Sequence, residues 1–381
     1  MRASDSAMSN TEISEHLLKW FSRPYQGDSS VHDALNSVVI GTSLGQRSEN
    51  QDYAIFCRGS YSNQNKSFEL AILCDGIGGL SHGGETARRV IAYVVTFLNQ
   101  VTDQIDLQAL IKAVSSANEK VFRQYKGLSG CTLSAVLSYG SGIVATNAGD
   151  SRIFLLTSSS LTQLSTDDTF AARVPQVDGE VHNPEMSHLL QYIGVGSHLQ
   201  LPLIDVPTLE GDSALLLASD GVHGIGSKLL ESLWRFGKTR RVYIERLLSL
   251  AEWVGEHDNA TALVLSGFSG NSSFSNGVNG ILEVFDANGS LEILQINANR
   301  VEEKAQRKRD GRRQEPKLKS QKSVTPESES SVQKSREIPS PTVELLFGAE
   351  REEEKDGFEP DQSTTDQRNL SSRLVETIVS Q

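Results

Sequence analysis

The chain has 381 residues, of which 38% are hydrophobic and 22% charged, with a formal net charge of −12. That length accommodates two ordinary domains or one large domain with a tail, and the modest apolar content implies that part of it builds no core. The acidic balance argues against a nucleic-acid binder, whose surface would be basic, and three scattered cysteines (Cys57, Cys74, Cys131) form neither a disulfide framework nor a zinc pattern and suit a reducing, cytoplasmic compartment.

From the N-terminus, Ile13, Leu17, Leu18, Trp20 and Phe21 repeat at helical spacing and predict a helix packed on the body, with docking on a partner as the alternative. Asp5, Glu12 and Glu15 stand where a signal peptide would carry a basic region and an apolar run. Apolar runs then predict strands at 38–40, 53–56, 70–73, 132–137, 143–146, 153–156, 214–218 and 262–265. Tight links such as Tyr139-Gly140-Ser141-Gly142 and Thr157-Ser158-Ser159-Ser160 imply antiparallel pairing. Ala87, Val90, Ile91, Val94, Val95 and Leu98 step by three and four, as do Leu107, Leu110, Ile111, Val114 and Val121, and a third helical pattern runs from Arg241 to Val254. The longest apolar stretches, such as Ile91 to Leu98, fall far short of the ~20 residues of a membrane span. Hairpin-rich strands with a few long one-faced helices predict an α+β fold, a central antiparallel β-sandwich flanked by helices in four layers, αββα.

Near residue 268 the composition changes. Charge sign does not mark the boundary, since 20 basic and 28 acidic residues precede it and 16 and 20 follow. What changes is order-forming content: Gly267 opens a Gly/Ser/Asn linker. Two alternating runs, 281–285 and 291–296, flank Asn288-Gly289 and predict a hairpin that either joins the body or forms transiently, because two strands alone are marginally stable. Residues 300–322 hold ten Lys/Arg against four Asp/Glu, and residues 344–361 hold eight Asp/Glu against two Lys/Arg, with a Ser/Pro-rich stretch between. This is the composition of a disordered tail. The expected organisation is an N-terminal extension at 1–33, one domain at 34–268, a linker with the hairpin at 269–299 and a charged tail at 300–381. The tail is a candidate binder of a protein partner or of the body itself.

Acidic residues recur where the apolar runs end. The run 70–74 leads into Asp75-Gly76-Ile77-Gly78-Gly79, the run 143–146 into Asn147-Ala148-Gly149-Asp150-Ser151-Arg152, and the run 215–219 into Asp220-Gly221. Asp258-Asn259 and Arg47-Ser48-Glu49-Asn50-Gln51-Asp52 each precede a run. A single Asp-Gly after a strand is commonly a turn. Five carboxylates beside apolar walls need compensation, and all-oxygen donors select hard cations such as Mg2+ or Mn2+ over zinc. Two such ions bridged by one water would make a nucleophile suited to phosphate esters, with Arg47 free to grip the phosphate through paired charged hydrogen bonds.

At these motifs, six in order over residues 34–268, the sequence resembles the metal-dependent Ser/Thr protein phosphatases of the 2C type, in their bacterial branch. The resemblance implies hydrolysis of phosphoserine and phosphothreonine in proteins by a water or hydroxide bridging two core Mg2+ or Mn2+ ions, of two or three bound in all, any third one weaker. Carried over by position, Asp52, Asp75, the Gly76 carbonyl, Asp220 and Asp258 are the core metal ligands, Asp75 bridging both ions. Asp150 serves the third ion with Asp220, and Arg47 binds phosphate. Thr132 and Asn259 are expected to support the scaffold. Three departures stand out: Gln51 replaces a glutamate, Ile77 a histidine that is a candidate general acid in eukaryotic members, and Asp167-Asp168-Thr169 the family's Asp-His-Ser. His82 lies off the pattern and is expected to be a loop residue. Residues 165–198, with Pro175 and Pro184, fall where the family has a mobile flap. A monomer is expected. The competing expectations are a catalytically weak member that binds partners through its tail, and a phosphatase of small phosphoesters.

Overall fold

The computed structural model describes residues 9–294 apart from 25–26, 61–66, 79, 81, 102–106, 140–141, 174–187, 255–257 and 268–280. The expected charged tail at 300–381, most of the linker and the centre of the flap lie outside the described residues. In chain order the strands begin with β1 (Ser29–Leu35), β2 (Val38–Ser43), β3 (Asp52–Ser60), β4 (Ser67–Asp75), β5 (Leu133–Tyr139) and β6 (Gly142–Ala148). They continue with β7 (Arg152–Leu156), β8 (Leu161–Gln163), β9 (Ile204–Asp205), β10 (Ala214–Ala218), β11 (Ala260–Ser266), β12 (Ile281–Asp286) and β13 (Gly289–Leu294). Helices α1 (Asn10–Phe21), α2 (Gly83–Gln100), α3 (Leu107–Tyr125), α4 (Phe170–Arg173), α5 (Asp220–His223), α6 (Ser227–Phe236) and α7 (Arg240–Val254) accompany them.

The strands form two sheets in the orders β1-β2-β11-β10-β7-β8 and β13-β12-β3-β4-β5-β6-β9, and their pairings are antiparallel. Side-chain alternation then generates the layers. Leu215 and Leu217 of β10 point into the space between the sheets with Ile40, Phe56, Leu73, Val136 and Leu263. Their neighbours Ala214, Leu216 and Ala218 point outward against Tyr243, Ile244 and Leu247 of α7. The opposite outer face of the sandwich packs on α1, α2 and α3 through Leu17, Val90, Val94, Leu110 and Val114. The fold is therefore the expected four-layer αββα sandwich, with central strands such as β2, β10 and β11 buried on both faces, which is why they read as continuous apolar runs.

Two segments extend the sandwich beyond its expected limits. The N-terminal helix starts in a capping box: Ser9 Oγ accepts from the Glu12 N–H at 3.3 Å, and the Glu12 carboxylate accepts from the Ser9 N–H at 2.6 Å. It buries Ile13, Leu17 and Phe21 on the body, as its spacing predicts. The C-terminal hairpin does not stand alone. Its first strand, β12, pairs with β3 and widens the second sheet. Arg23, just after α1, donates to both oxygens of the buried Asp286 at 2.9 and 2.7 Å, and the Tyr53 hydroxyl donates to the same carboxylate at 2.7 Å. The two ends of the described chain are thus clasped through one aspartate. Strand β1 was not legible as a run because this edge strand is mostly half-exposed and mixes polar with apolar residues.

Candidate metal centre

Antiparallel order brings the acidic strand ends to one place. Asp52 opens β3 and Asp75 closes β4, and the two stand directly opposite in the ladder. In the other sheet Asp150 lies two residues before β7, Asp220 two after β10 and Asp258 two before β11. Those strands are neighbours of alternating direction, so the three positions share one end. The Ser219 hydroxyl, at the end of β10, donates to Asp52 Oδ2 at 2.8 Å and stitches the two sheets together there.

Electrostatics confirm the convergence. The Asp75 carboxyl is pushed far above the usual carboxylate range, first by burial and then by the charges of Asp52, Asp220, Asp150 and Asp258. Burial, and secondarily the charge of Asp220, raises Asp52 to about 7 against the pull of hydrogen bonds from Ser219 and Thr261. Asp150 is raised mainly by its own burial. At the rim, Arg47 Nη2 donates to Asp258 Oδ2 at 2.7 Å, with both side chains well exposed. The other nitrogen, Nη1, lies 3.9 Å from where a side chain on Gly78 would begin, so the guanidinium overhangs the Gly76–Gly78 turn.

Backbone turns set these carboxylates by close approach. A Cβ on Gly76 would come within 2.4 Å of the Gly83 backbone at the start of α2, so any larger residue would force the loop off the helix. The Gly76 N–H donates to the Gln51 carbonyl. Gly149 adopts φ +103° directly over Thr132, and a side chain there would meet Thr132 Cγ2 at 2.7 Å. Thr132 fills the supporting role expected of it: its Oγ1 accepts from the Asp75 N–H at 3.0 Å and lies 2.7 Å from Ser151 Oγ. Asn259 does likewise, accepting from the Gln51 N–H and donating to the Leu44 carbonyl, both at 2.9 Å.

Further residues complete the surroundings. His223 Nε2 lies 3.0 Å from the Asp150 carbonyl oxygen. A carbonyl only accepts, so this nitrogen carries the hydrogen, and burial holds the imidazole neutral with a pKa lowered to about 4. Asp167 takes the Arg152 guanidinium bidentately, while Asp168 bonds Gly149 in both directions, N–H to carbonyl at 3.0 Å and carboxylate to N–H at 3.3 Å. The altered Asp-Asp-Thr segment thereby braces the loop that carries Asp150. His82 caps α2 in a left-handed conformation, φ 66°, with its ring beside Tyr125. A signal for His223 and Ser219 was present in their adjacency to Asp220; nothing marked Asp168 except its departure from the family pattern.

Among the described residues no three His, Cys, Asp or Glu side chains form a closed ion cage as they stand. The donor chemistry nevertheless fits hard cations. The carboxyls of Asp52 and Asp75 are pushed up by burial and then by the charges of their neighbours, a cost that divalent ions remove.

A family profile described as protein phosphatase 2C matches residues 41–264, more than half of the chain. The chain belongs to the protein phosphatase 2C family. This phosphatase is 24% identical to the serine/threonine phosphatase stp of Listeria innocua over 223 residues, 54% of the chain and 87% of that protein. It is 30% identical over 210 residues to the serine/threonine protein phosphatase PstP of Mycobacterium tuberculosis, 51% of the chain and 40% of that protein. Among solved structures, the serine/threonine phosphatase Stp1 from Staphylococcus aureus matches with a TM-score of 0.53 at 21% identity, over 65% of this chain and all of that one. The serine/threonine phosphatase of S. agalactiae matches with a TM-score of 0.51 at 25% identity, over 62% and 98%. The phosphatase therefore shares the fold of the metal-dependent enzymes it resembles, and α1 and the β12–β13 hairpin lie outside the matched residues.

Proposed function

We propose that this phosphatase hydrolyses phosphoserine and phosphothreonine in protein substrates, using Mn2+ or Mg2+ held by Asp52, Asp75, the Gly76 carbonyl, Asp220 and Asp258. The observation that carries the reading is the convergence of five aspartates from five strand ends around Asp75. When bound, the ions would supply charge neutralisation and an activated water for attack at phosphorus. Asp75, central among the carboxylates, is suited to lie between two ions, and Asp150 with Asp220 to a third, weaker one.

Arg47 would hold the phosphoryl group. Its guanidinium now pairs with Asp258; once that carboxylate serves a cation, the planar fork is free to grip two phosphate oxygens. Ile77, which follows the Asp75-Gly76 pair, offers no proton to the departing serine or threonine oxygen, so that proton comes from water. The pH–rate profile of His82→Ala should then keep its acid limb; loss of that limb would assign the proton to His82 instead. Filled aspartate positions throughout the cluster favour an active enzyme over a binding module. We further place the enzyme in the cytoplasm as a monomer, the compartment supported by three free, buried thiols, with no described helix long and apolar enough to cross a membrane. The experiment is hydrolysis of a phosphothreonine peptide against a small aryl phosphate: a preference for the peptide supports a protein substrate, and preference for the aryl phosphate contradicts it.

A further inference from the structure

Helix α3 faces the body with Leu110, Ala113, Val114, Ala117 and Val121, all buried, and with one amide among them. Asn118 is 3% exposed, at a place where leucine would extend the apolar face. A buried amide is costly unless its groups are bonded, and the bonds that Asn118 makes go to a single backbone segment. Its Oδ1 accepts from the Gly194 N–H at 2.8 Å and from the Gly196 N–H at 3.3 Å, and its Nδ2 donates to the Gly196 carbonyl at 2.8 Å. Both glycines hold left-handed conformations, φ +116° and +79°, and lie too close to Ser129 and Phe122 for a side chain. Glycines are the costliest residues to order, and Asn118 supplies the bonds that order these two.

That segment reaches the ion site through the backbone. Cys131 exchanges both of its main-chain bonds with Ile193, donating at 3.1 Å and accepting at 2.8 Å. On its other side Cys131 stands opposite Gly76. This second pair is flanked by bonds from the Thr132 N–H to the Asp75 carbonyl at 2.8 Å and from the Ile77 N–H to the Gly130 carbonyl at 3.1 Å. Residues 75–77, 130–132 and 192–194 therefore form one short antiparallel ribbon. Its register decides where the polar groups of Gly76 go. Because Asp75 and Ile77 make the bonds to 130–132, the N–H and carbonyl of Gly76 face the opposite side. There the N–H meets the Gln51 carbonyl at 3.1 Å, next to Asp52 at the start of β3.

We propose that Asn118 is a positioning residue for the ion site: from the outer layer of helices it pins residues 194–196, and through Cys131 it fixes the turn that carries Asp75 and Gly76. The inference rests on the reading of Asp75 and the Gly76 carbonyl as metal ligands. It goes beyond that reading by making ion affinity depend on an amide that touches neither ion nor substrate. The link is reciprocal. If opening of 192–196 weakens the hold on an ion by some factor, a bound ion opposes that opening by the same factor.

Two measurements on the full chain test this. The first is Mn2+ binding by calorimetry to wild type, Asn118→Leu and Asp75→Asn, beside thermal unfolding in chelator. Asn118→Leu should weaken binding about 3–10-fold, within the range by which residues remote from a ligand tune its affinity. A merely structural amide would instead lower the unfolding temperature in chelator and leave Mn2+ affinity within about twofold of wild type; that result overturns the proposal. The second is hydrogen exchange of the wild-type amides. Saturating Mn2+ should slow exchange at Gly194 and Gly196 by a similar factor, about 3–10-fold, and leave the amides of α1 unchanged. Equal rates at Gly194 and Gly196 with and without the ion, or slowing as large in α1, overturn the link. Asp75→Asn keeps the two readings apart. If it binds Mn2+ as wild type does, the ligand reading fails; if it loses binding while Asn118→Leu keeps it, only the link through Asn118 fails. Should Asn118→Leu not fold, the exchange rates of the wild-type chain decide.

Discussion

A carboxylate buried among four others has an energetic signature of its own. The Asp52 carboxyl stands at about 7 in the folded chain against 3.8 for an ordinary aspartate. Between those values the folded state binds more protons than the unfolded state, so stability falls as pH rises through that window. Asp75 acts in the same direction. Without metal, the unfolding temperature should therefore drop from pH 3.8 to about 7 as far as these groups are concerned, and saturating Mn2+ should cancel the drop; a metal-free protein that gains stability over this range would contradict the crowding. By the same logic Asp220→Asn should raise the metal-free unfolding temperature by about 2–4 °C, the shift that about 1 kcal/mol produces in a domain of this size, while removing the stabilisation by Mn2+. For Arg47→Ala, loss of charged hydrogen bonds to phosphate worth about 1.5–3 kcal/mol should lower kcat/KM by roughly 10–100-fold, with Arg47→Lys recovering little because an ammonium cannot bond bidentately. The six positions of the proposed ion site were legible because each is an acidic or glycine residue at the end of an apolar run. The buried pair Thr42 and Thr261, whose hydroxyls lie 2.7 Å apart, was not, since a lone hydroxyl in a run carries no local sign of which distant side chain it will meet.

At the scale of elements, the clasp at Asp286 links the helix before the sandwich to the hairpin after it. Its side chain is 2% exposed and takes Arg23 and Tyr53 together. Asp286→Ala removes the carboxylate that the half-buried Arg23 and the buried Tyr53 share, and should cost about 3 kcal/mol in urea unfolding, the lower end for breaking a buried pair. Unfolding that shifts by less than about 1 kcal/mol would mean the pair behaves as a surface contact. Cutting the chain at residue 268 should be worse still, because it leaves that edge of β3 unpaired and removes the fully buried Leu282 and Val284 from the core they share with α1. Apart from β1, β8 and β9, the strands, their antiparallel pairing and α1, α2, α3 and α7 were legible from periodicity and short turns. The seating of the hairpin was not, because alternation announces two paired strands without saying which third strand they join. Nor was α6, where only Leu230 is buried and the apolar stripe is too short to stand out.

For the whole molecule, the sandwich carries the chemistry, and the segments that follow the hairpin carry opposite charges in separate blocks. If those blocks fold back on the catalytic face, hydrolysis by the full chain and by residues 1–294 should differ more at low salt than at high salt, because screening shortens electrostatic reach to about 8 Å at physiological ionic strength; equal rates at every salt concentration would leave the tail without a role in turnover. The net charge of −12 also acquires a more specific meaning, since five of its acidic residues belong to the proposed cation site instead of advertising a basic partner. The most direct test of that account is hydrolysis of a phosphothreonine peptide by the full chain, with and without Mn2+, beside Asp220→Asn. Turnover should require the metal and fall by at least about 100-fold in the variant, as for removal of a group stabilising transition-state charge. Turnover that persists in chelator, or an Asp220→Asn enzyme as active as wild type, would contradict it.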